Sequence, residues 1–140
     1  MPLIYRSMKV DNGKPLIENS ARGLGVRIGE VPPNDIMMDE SGNVHPNAGG
    51  MSVAPSWRDL EVHRIPKRLK HLVPDARGSN ADACWKLGAG SFDNGAISTQ
   101  LAMRKENEVH GFVEPAHSMA ADRYVTALTE TRDQWAIDEE

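Results

Sequence analysis

Apolar residues along this chain gather in short runs broken by turn chemistry, and only near the far end does their spacing lengthen to that of a helix. Leu3, Ile4, Tyr5, Met8 and Val10 make a β-prone run over 2–10, ended by Asp11-Asn12-Gly13, which favours positive φ. Leu24, Val26 and Ile28, alternating with Gly25 and Arg27, predict a second strand closed by Pro32-Pro33. Ile36-Met37-Met38, then Asp39-Glu40-Ser41-Gly42 and Val44, predict a hairpin. After Gly49-Gly50, a strand turns Met51 and Val53 to one face and Ser52 to the other. Cys84 to Leu87, Ile97 to Met103 and Val109 to Val113 are further strands, separated by Gly88-Ala89-Gly90 and Asp93-Asn94-Gly95.

From Ser118, read as an N-cap, the stripe Ala121, Tyr124, Val125, Leu128, Thr131 and Trp135 follows helical spacing, with Asp122 in the first turn. Residues 56–80, with prolines at 66 and 74, are expected as a mobile surface excursion holding at most a short helical piece. Many short strands and one terminal helix give an α+β expectation: a mainly antiparallel, curved or split β-sheet with a C-terminal helix. No internal repeat, low-complexity segment or heptad pattern interrupts it.

A length of 140 residues fits one domain spanning 1–140. Only 39% of residues are hydrophobic and 5% aromatic, with 12 Gly and 9 Pro, which points to a loop-rich body around a modest core. The net charge of −4 is unevenly spread: residues 1–77 hold 11 Lys/Arg against 9 Asp/Glu, and residues 78–140 hold 5 against 11. Such asymmetry suggests a partner for one face. The basic run His63-Arg64-Ile65-Pro66-Lys67-Arg68-Leu69-Lys70-His71 lacks the interleaved aromatics of a nucleic-acid platform, so a solvated face is the expectation there. Cys84 is the one cysteine, which excludes an intramolecular disulfide and fits a reduced, cytoplasmic setting. No zinc-type Cys/His spacing, leader-like start or apolar run of about 18 residues is present, so neither metal nor membrane is expected.

Three distant clusters carry candidate chemistry: Ile4-Tyr5-Arg6-Ser7, Gly49-Gly50-Met51-Ser52-Val53 and His110-Gly111-Phe112-Val113-Glu114-Pro115. An arginine such as Arg6 can fork two donors onto a phosphate. Ser52 can hold a ribose or brace a carboxylate, and with no Gly-x-Ser-x-Gly elbow around it nothing makes it a nucleophile. Glu114, held extended by the proline that follows, suits stabilisation of a cation at a sugar C1. His110 and Glu114, four residues apart on an extended strand, stand about 13 Å from each other, too far for direct contact. Trp57, Trp85 and Trp135 read as core anchors.

In their order, Tyr-Arg on a first strand, Gly-Gly-x-Ser-Val on another, and His-x-x-x-Glu-Pro before a terminal helix ending Gln134-Trp135, the clusters resemble a small family of type VI secretion effector toxins with an ADP-ribosyltransferase-like fold. The resemblance covers roughly 3–135, through scattered motifs. It implies an NAD substrate, with Tyr5, Arg6, Gly50 and Ser52 as binding residues and Arg6, Ser52 and Glu114 as the catalytic triad. Arg6 would hold the phosphate or ribose on the nicotinamide side, Ser52 would brace the site, and Glu114 would bond the ribose 2′-hydroxyl. The chain departs from the family at two places: Val53-Ala54 follows Ser52 where Thr-Ser is usual, and Phe112 stands where an acid or amide usually precedes the glutamate by two. No particular macromolecular acceptor is therefore implied. A toxin acting in its own or a neighbouring cell's cytoplasm implies a cognate antitoxin or immunity protein as partner. Two other classes fit the residues: a ribonuclease-type toxin using histidine and glutamate, with Arg6, Arg64 or Lys67 on phosphate, and a non-catalytic immunity or interaction module.

Overall fold

A computed structural model describes residues 1–29 and 33–140. In chain order the strands are β1 (Ile4–Asp11), β2 (Lys14–Pro15), β3 (Ile28–Gly29), β4 (Ile36–Met37), β5 (Asn43–Val44), β6 (Met51–Val53), β7 (Asp82–Leu87), β8 (Gly95–Ala96), β9 (Leu101–Lys105), β10 (Gly111–Pro115), β11 (Met119–Ala120) and β12 (Ala136–Ile137). Helix α1 (Ala121–Thr129) lies between the last two. Two four-stranded antiparallel sheets, in the orders β12-β7-β1-β2 and β6-β10-β9-β8, dominate the described residues. The molecule is α+β, with a mostly antiparallel, curled sheet and a C-terminal helix, as the hydrophobic pattern implies.

The two sheets meet at one point. Tyr5 and Ala54 exchange backbone hydrogen bonds of 2.8 and 2.9 Å, so the chain just past β6 runs onto the start of β1. This junction sets the neighbours of Arg6 and Ser52.

Side-chain alternation along β1 and β7 gives each face its own core. Ile4, Met8, Ala83, Trp85 and Leu87 face the main core with β6, β9, β10 and α1. Cys84 faces a second, smaller cluster of Trp57, Ile65, Leu69 and Ala76, against which Tyr5 also packs. Residues 56–80 are thus no loose excursion. Two 3-10 turns, Trp57–Asp59 and Lys67–Leu69, set Trp57 and Leu69 inward, and Arg64 and Arg68 bond main-chain carbonyls at Ala21 and Asp82. The run is basic outside because its apolar residues are inside.

Several elements depart from the sequence pattern. Ser118 does not cap α1: its hydroxyl meets His45, and the helix starts at Ala121 with no side-chain cap. The helix also stops before Trp135. Thr129 and Thr131 hydroxyls bond the carbonyls of Val125 and Leu128, which competes with helix propagation, and the chain tightens into a 3-10 turn at Arg132–Gln134. Trp135 is still buried, with its indole N–H on Thr131 Oγ1.

The run 24–28 is strand only at its end, and Ile36–Met37 pairs with Ile28–Gly29 in parallel rather than turning back on Val44. Val44 pairs with Met119 instead. Pro32, half of the proline pair expected to close the second strand, lies outside the described residues. Ile97 precedes its strand, which runs Leu101–Lys105, and Val109 likewise precedes Gly111–Pro115. All three tryptophans are core anchors, at 1, 1 and 2% exposure. No described helix is long and apolar enough to cross a membrane.

Candidate functional site

Arg6 sits on the core-facing side of β1 between Ile4 and Met8, opposite Trp85, and is itself buried. A charge there demands partners, and the main chain supplies them. Nε and Nη2 donate to Gly23 O at 3.2 and 3.0 Å, Nη2 also donates to Ser20 O at 3.1 Å, and Nη1 donates to Ser52 O at 2.9 Å. Four N–H groups are thereby used, leaving one on Nη1. No carboxylate among the described residues bridges Arg6, and burial pulls its pKa down to about 10, against the favourable field of Asp35.

Beside this guanidinium opens a cleft of about 240 Å³. Three arginines (Arg6, Arg27, Arg64) and three acids (Asp35, Asp59, Glu61) line it together with Ser7, Ser52 and His110, and Val53, Ala54 and Leu60 are part of its apolar lining. Arg27 is bound to Asp35 twice, at 3.0 and 2.9 Å. Burial works to raise the Asp35 pKa, but these bonds outweigh it and hold the carboxyl below its ordinary value. Arg64 makes a hydrogen bond to Ala21 O and no ion pair among the described residues. Two guanidiniums without an ion-pair partner among the described residues, Arg6 and Arg64, therefore share one cleft with the carboxylates of Asp59 and Glu61, and an anion held there must lie against those two forks.

Glu114 lies one strand over. β6 and β10 are antiparallel with Ser52 opposite Phe112, so Glu114 is diagonal to Ser52 on the same sheet face, with Cβ atoms about 7 Å apart. Its Oε2 accepts the Asn47 backbone N–H at 2.7 Å and Arg104 Nε at 3.2 Å, and Oε1 makes no hydrogen bond among the described residues. Asn47 adopts φ 63°, a conformation asparagine tolerates, which aims its N–H at the carboxylate.

The buried Tyr124 hydroxyl ties β6 to β10. It donates to Val113 O at 2.5 Å and accepts the Met51 N–H at 3.3 Å. Burial, above all, pushes its pKa up; the Arg6 charge opposes that and the Glu114 charge adds to it. Arg6 and Glu114 are thus both within electrostatic reach of one buried phenol.

The structure brings Arg6 and Ser52 together, with Glu114 on the adjoining strand. Glu114 does not itself line the cleft, and neither Tyr5 nor Gly50 is brought in. The Tyr5 side chain takes the opposite face of β1, packs on the second core and donates to Asp138 Oδ2 at 2.8 Å; burial first, and Asp138 after it, push its pKa up to about 12. Gly50 lines no part of the cleft; its φ of 154° lets β6 approach β10, where a Cβ would meet Val113 O at 2.5 Å.

His110, as its spacing implies, does not reach Glu114 and instead bonds Glu106 at 3.1 Å. Sequence reasoning missed Arg27, Asp35, Arg104 and Tyr124 as neighbours of the site. Tyr124 carried a signal, as a polar-tipped aromatic on the apolar stripe of α1; the others carried none. Neither protein-family models nor characterised proteins match this chain.

Proposed function

We propose that the protein is an ADP-ribosyltransferase-like toxin domain that takes NAD in the Arg6–Ser52 cleft and breaks its nicotinamide–ribose bond. The observation that carries this reading is the junction of β1 with β6, which sets Arg6 and Ser52 on one cleft wall with Glu114 on the next strand, on the same sheet face as Ser52. In this reading Arg64 and the spare N–H of Arg6 hold the diphosphate. Ser52 braces the ribose, and Glu114 offers its free Oε1 to the ribose 2′-hydroxyl.

The reaction is dissociative. The C1′–N bond breaks with its electron pair leaving on nicotinamide, the carboxylate of Glu114 offsets the positive charge on the ribose, and an acceptor or water attacks C1′ and loses a proton. The pyridinium nitrogen takes the bonding pair, so nicotinamide leaves neutral and its positive charge passes to the ribose. Arg104 Nε and the Asn47 N–H hold the Glu114 carboxylate in one orientation. A producer cell then needs an antitoxin or immunity protein.

A second reading has one observation in its favour: His110 and Glu61 line the same cleft as Arg64, the pairing of acid, base and phosphate holder that a ribonuclease needs. Expression from a tightly repressed promoter in bacteria separates the two. The NAD reading predicts growth arrest with falling cellular NAD or ADP-ribosylated material, abolished in Glu114→Gln. Arrest that persists in Glu114→Gln, with RNA cleaved in the absence of NAD, overturns it in favour of the ribonuclease.

A further inference from the structure

Away from the cleft, three side chains from separate segments form a hydrogen-bonded chain. His45 Nε2 meets Asp39 Oδ2 at 2.7 Å, and His45 Nδ1 meets Ser118 Oγ at 2.7 Å. Pairing of β5 with β11, with Val44 opposite Met119, places His45 and Ser118 side by side. Asp39 is fixed in turn: its Oδ1 accepts the N–H groups of Ser41 and Asn43 at 2.9 and 3.0 Å, leaving Oδ2 for the imidazole. Those backbone bonds first, and His45 second, hold its carboxyl below the ordinary value. An ionised Asp39 accepts a hydrogen bond from Nε2–H, and in that tautomer the Nδ1 lone pair is directed at the serine hydroxyl.

From this geometry we propose that Ser118 is an activated nucleophile, with His45 as its general base and Asp39 as the residue that orients the base, able to take an acyl group from a small ester. The roles are those of a Ser-His-Asp triad with the two ring nitrogens exchanged, which is chemically equivalent because either nitrogen of imidazole can carry the proton. Ser118 is exposed, so an ester can reach it. Helix α1 begins three residues later with no side-chain cap; its Ala121 N–H donates to Gly42 O at 3.0 Å, which leaves the next N–H groups of the first turn and the positive end of the helix for an oxyanion.

In the acylation step Ser118 Oγ bonds the ester carbonyl carbon, its proton passes to His45 Nδ1, and that proton leaves with the alkoxide as the C–O bond breaks. Water, deprotonated by the same nitrogen, then releases the carboxylic acid and restores the serine. A hydrogen-bonded staple between β5 and β11 would explain the two contacts equally but would confer no reactivity, so reactivity is what must be measured.

The full chain is treated with a fluorophosphonate probe and, separately, with p-nitrophenyl acetate, and the adduct is located by peptide mass spectrometry. The proposal predicts an adduct on Ser118, at least tenfold slower labelling in His45→Gln, and slower labelling in Asp39→Asn. The wild-type chain, folded against unfolded in urea, gives a second comparison that depends on no variant: labelling must disappear on unfolding. Absence of a Ser118 adduct, equal labelling in folded His45→Gln, or equal labelling of folded and unfolded chain overturns it.

Discussion

Arg6 does two things at once, and the physics of a buried guanidinium ties them together. Its bonds to Gly23, Ser20 and Ser52 carbonyls hold two segments, the 20–23 loop and β6, against β1, so truncation leaves those acceptors short of partners in a buried place. Arg6→Ala is expected to cost roughly 3 kcal/mol or more, read as a lowered urea midpoint. Arg6→Lys is expected to fall between, since a point charge cannot reproduce the fork. Loss of activity in either variant is therefore meaningful only on the folded fraction. Cys84 illustrates the opposite case. Burial, with smaller effects from neighbouring charges, pushes its thiol up to about 12, so iodoacetamide at pH 8 should leave the native protein unmodified and alkylate it only after unfolding.

At the scale of elements, what the chain reveals depends on whether a residue's role is local. The strand bearing Arg6, the Gly-Gly entry to Ser52, the strand ending at Glu114 and the helix stripe from Ala121 to Leu128 are all legible, because alternation, turn residues and 3–4 spacing are local properties. The parallel pairing of Ile28 with Ile36 and the pairing of Val44 with Met119 are not, because each two-residue strand is defined by its tertiary partner alone. Nor could spacing show that Ser118 would give its hydroxyl to His45 rather than to the helix.

Gly50 was legible as a special position and misread in purpose. It serves the approach of β6 to β10, so Gly50→Ala should destabilise by roughly 1–3 kcal/mol in thermal melts and shift the strand that carries Ser52. Tyr124→Phe removes the hydroxyl that ties α1 to Val113 and Met51 and is expected to cost about 1 kcal/mol in the same assay.

For the molecule as a whole, acid is the revealing variable. Asp35 and Asp39 both have pKa values held below the ordinary 3.8, and Glu18 is held below 4.5 by Ser20 before its other neighbours. A depressed carboxyl stabilises the folded state above its unfolded pKa and loses that contribution as pH falls through the folded value. Stability is therefore expected to be flat from neutral pH to about 5 and to fall progressively below the ordinary carboxylate range, as unfolding midpoints across pH 2–7 would record. The Arg27→Gln variant, which frees Asp35 from its ion pair, should begin that fall at higher pH.

The central claim concerns a cleft whose arginine wall and neighbouring carboxylate act on one ligand. Release of nicotinamide from NAD by the purified chain, followed by chromatography at a fixed protein concentration, tests it most directly. Turnover by the wild type, reduced at least a hundredfold in Glu114→Gln at unchanged thermal stability, is the predicted result. No release by the folded wild type, or equal release by both proteins, contradicts it.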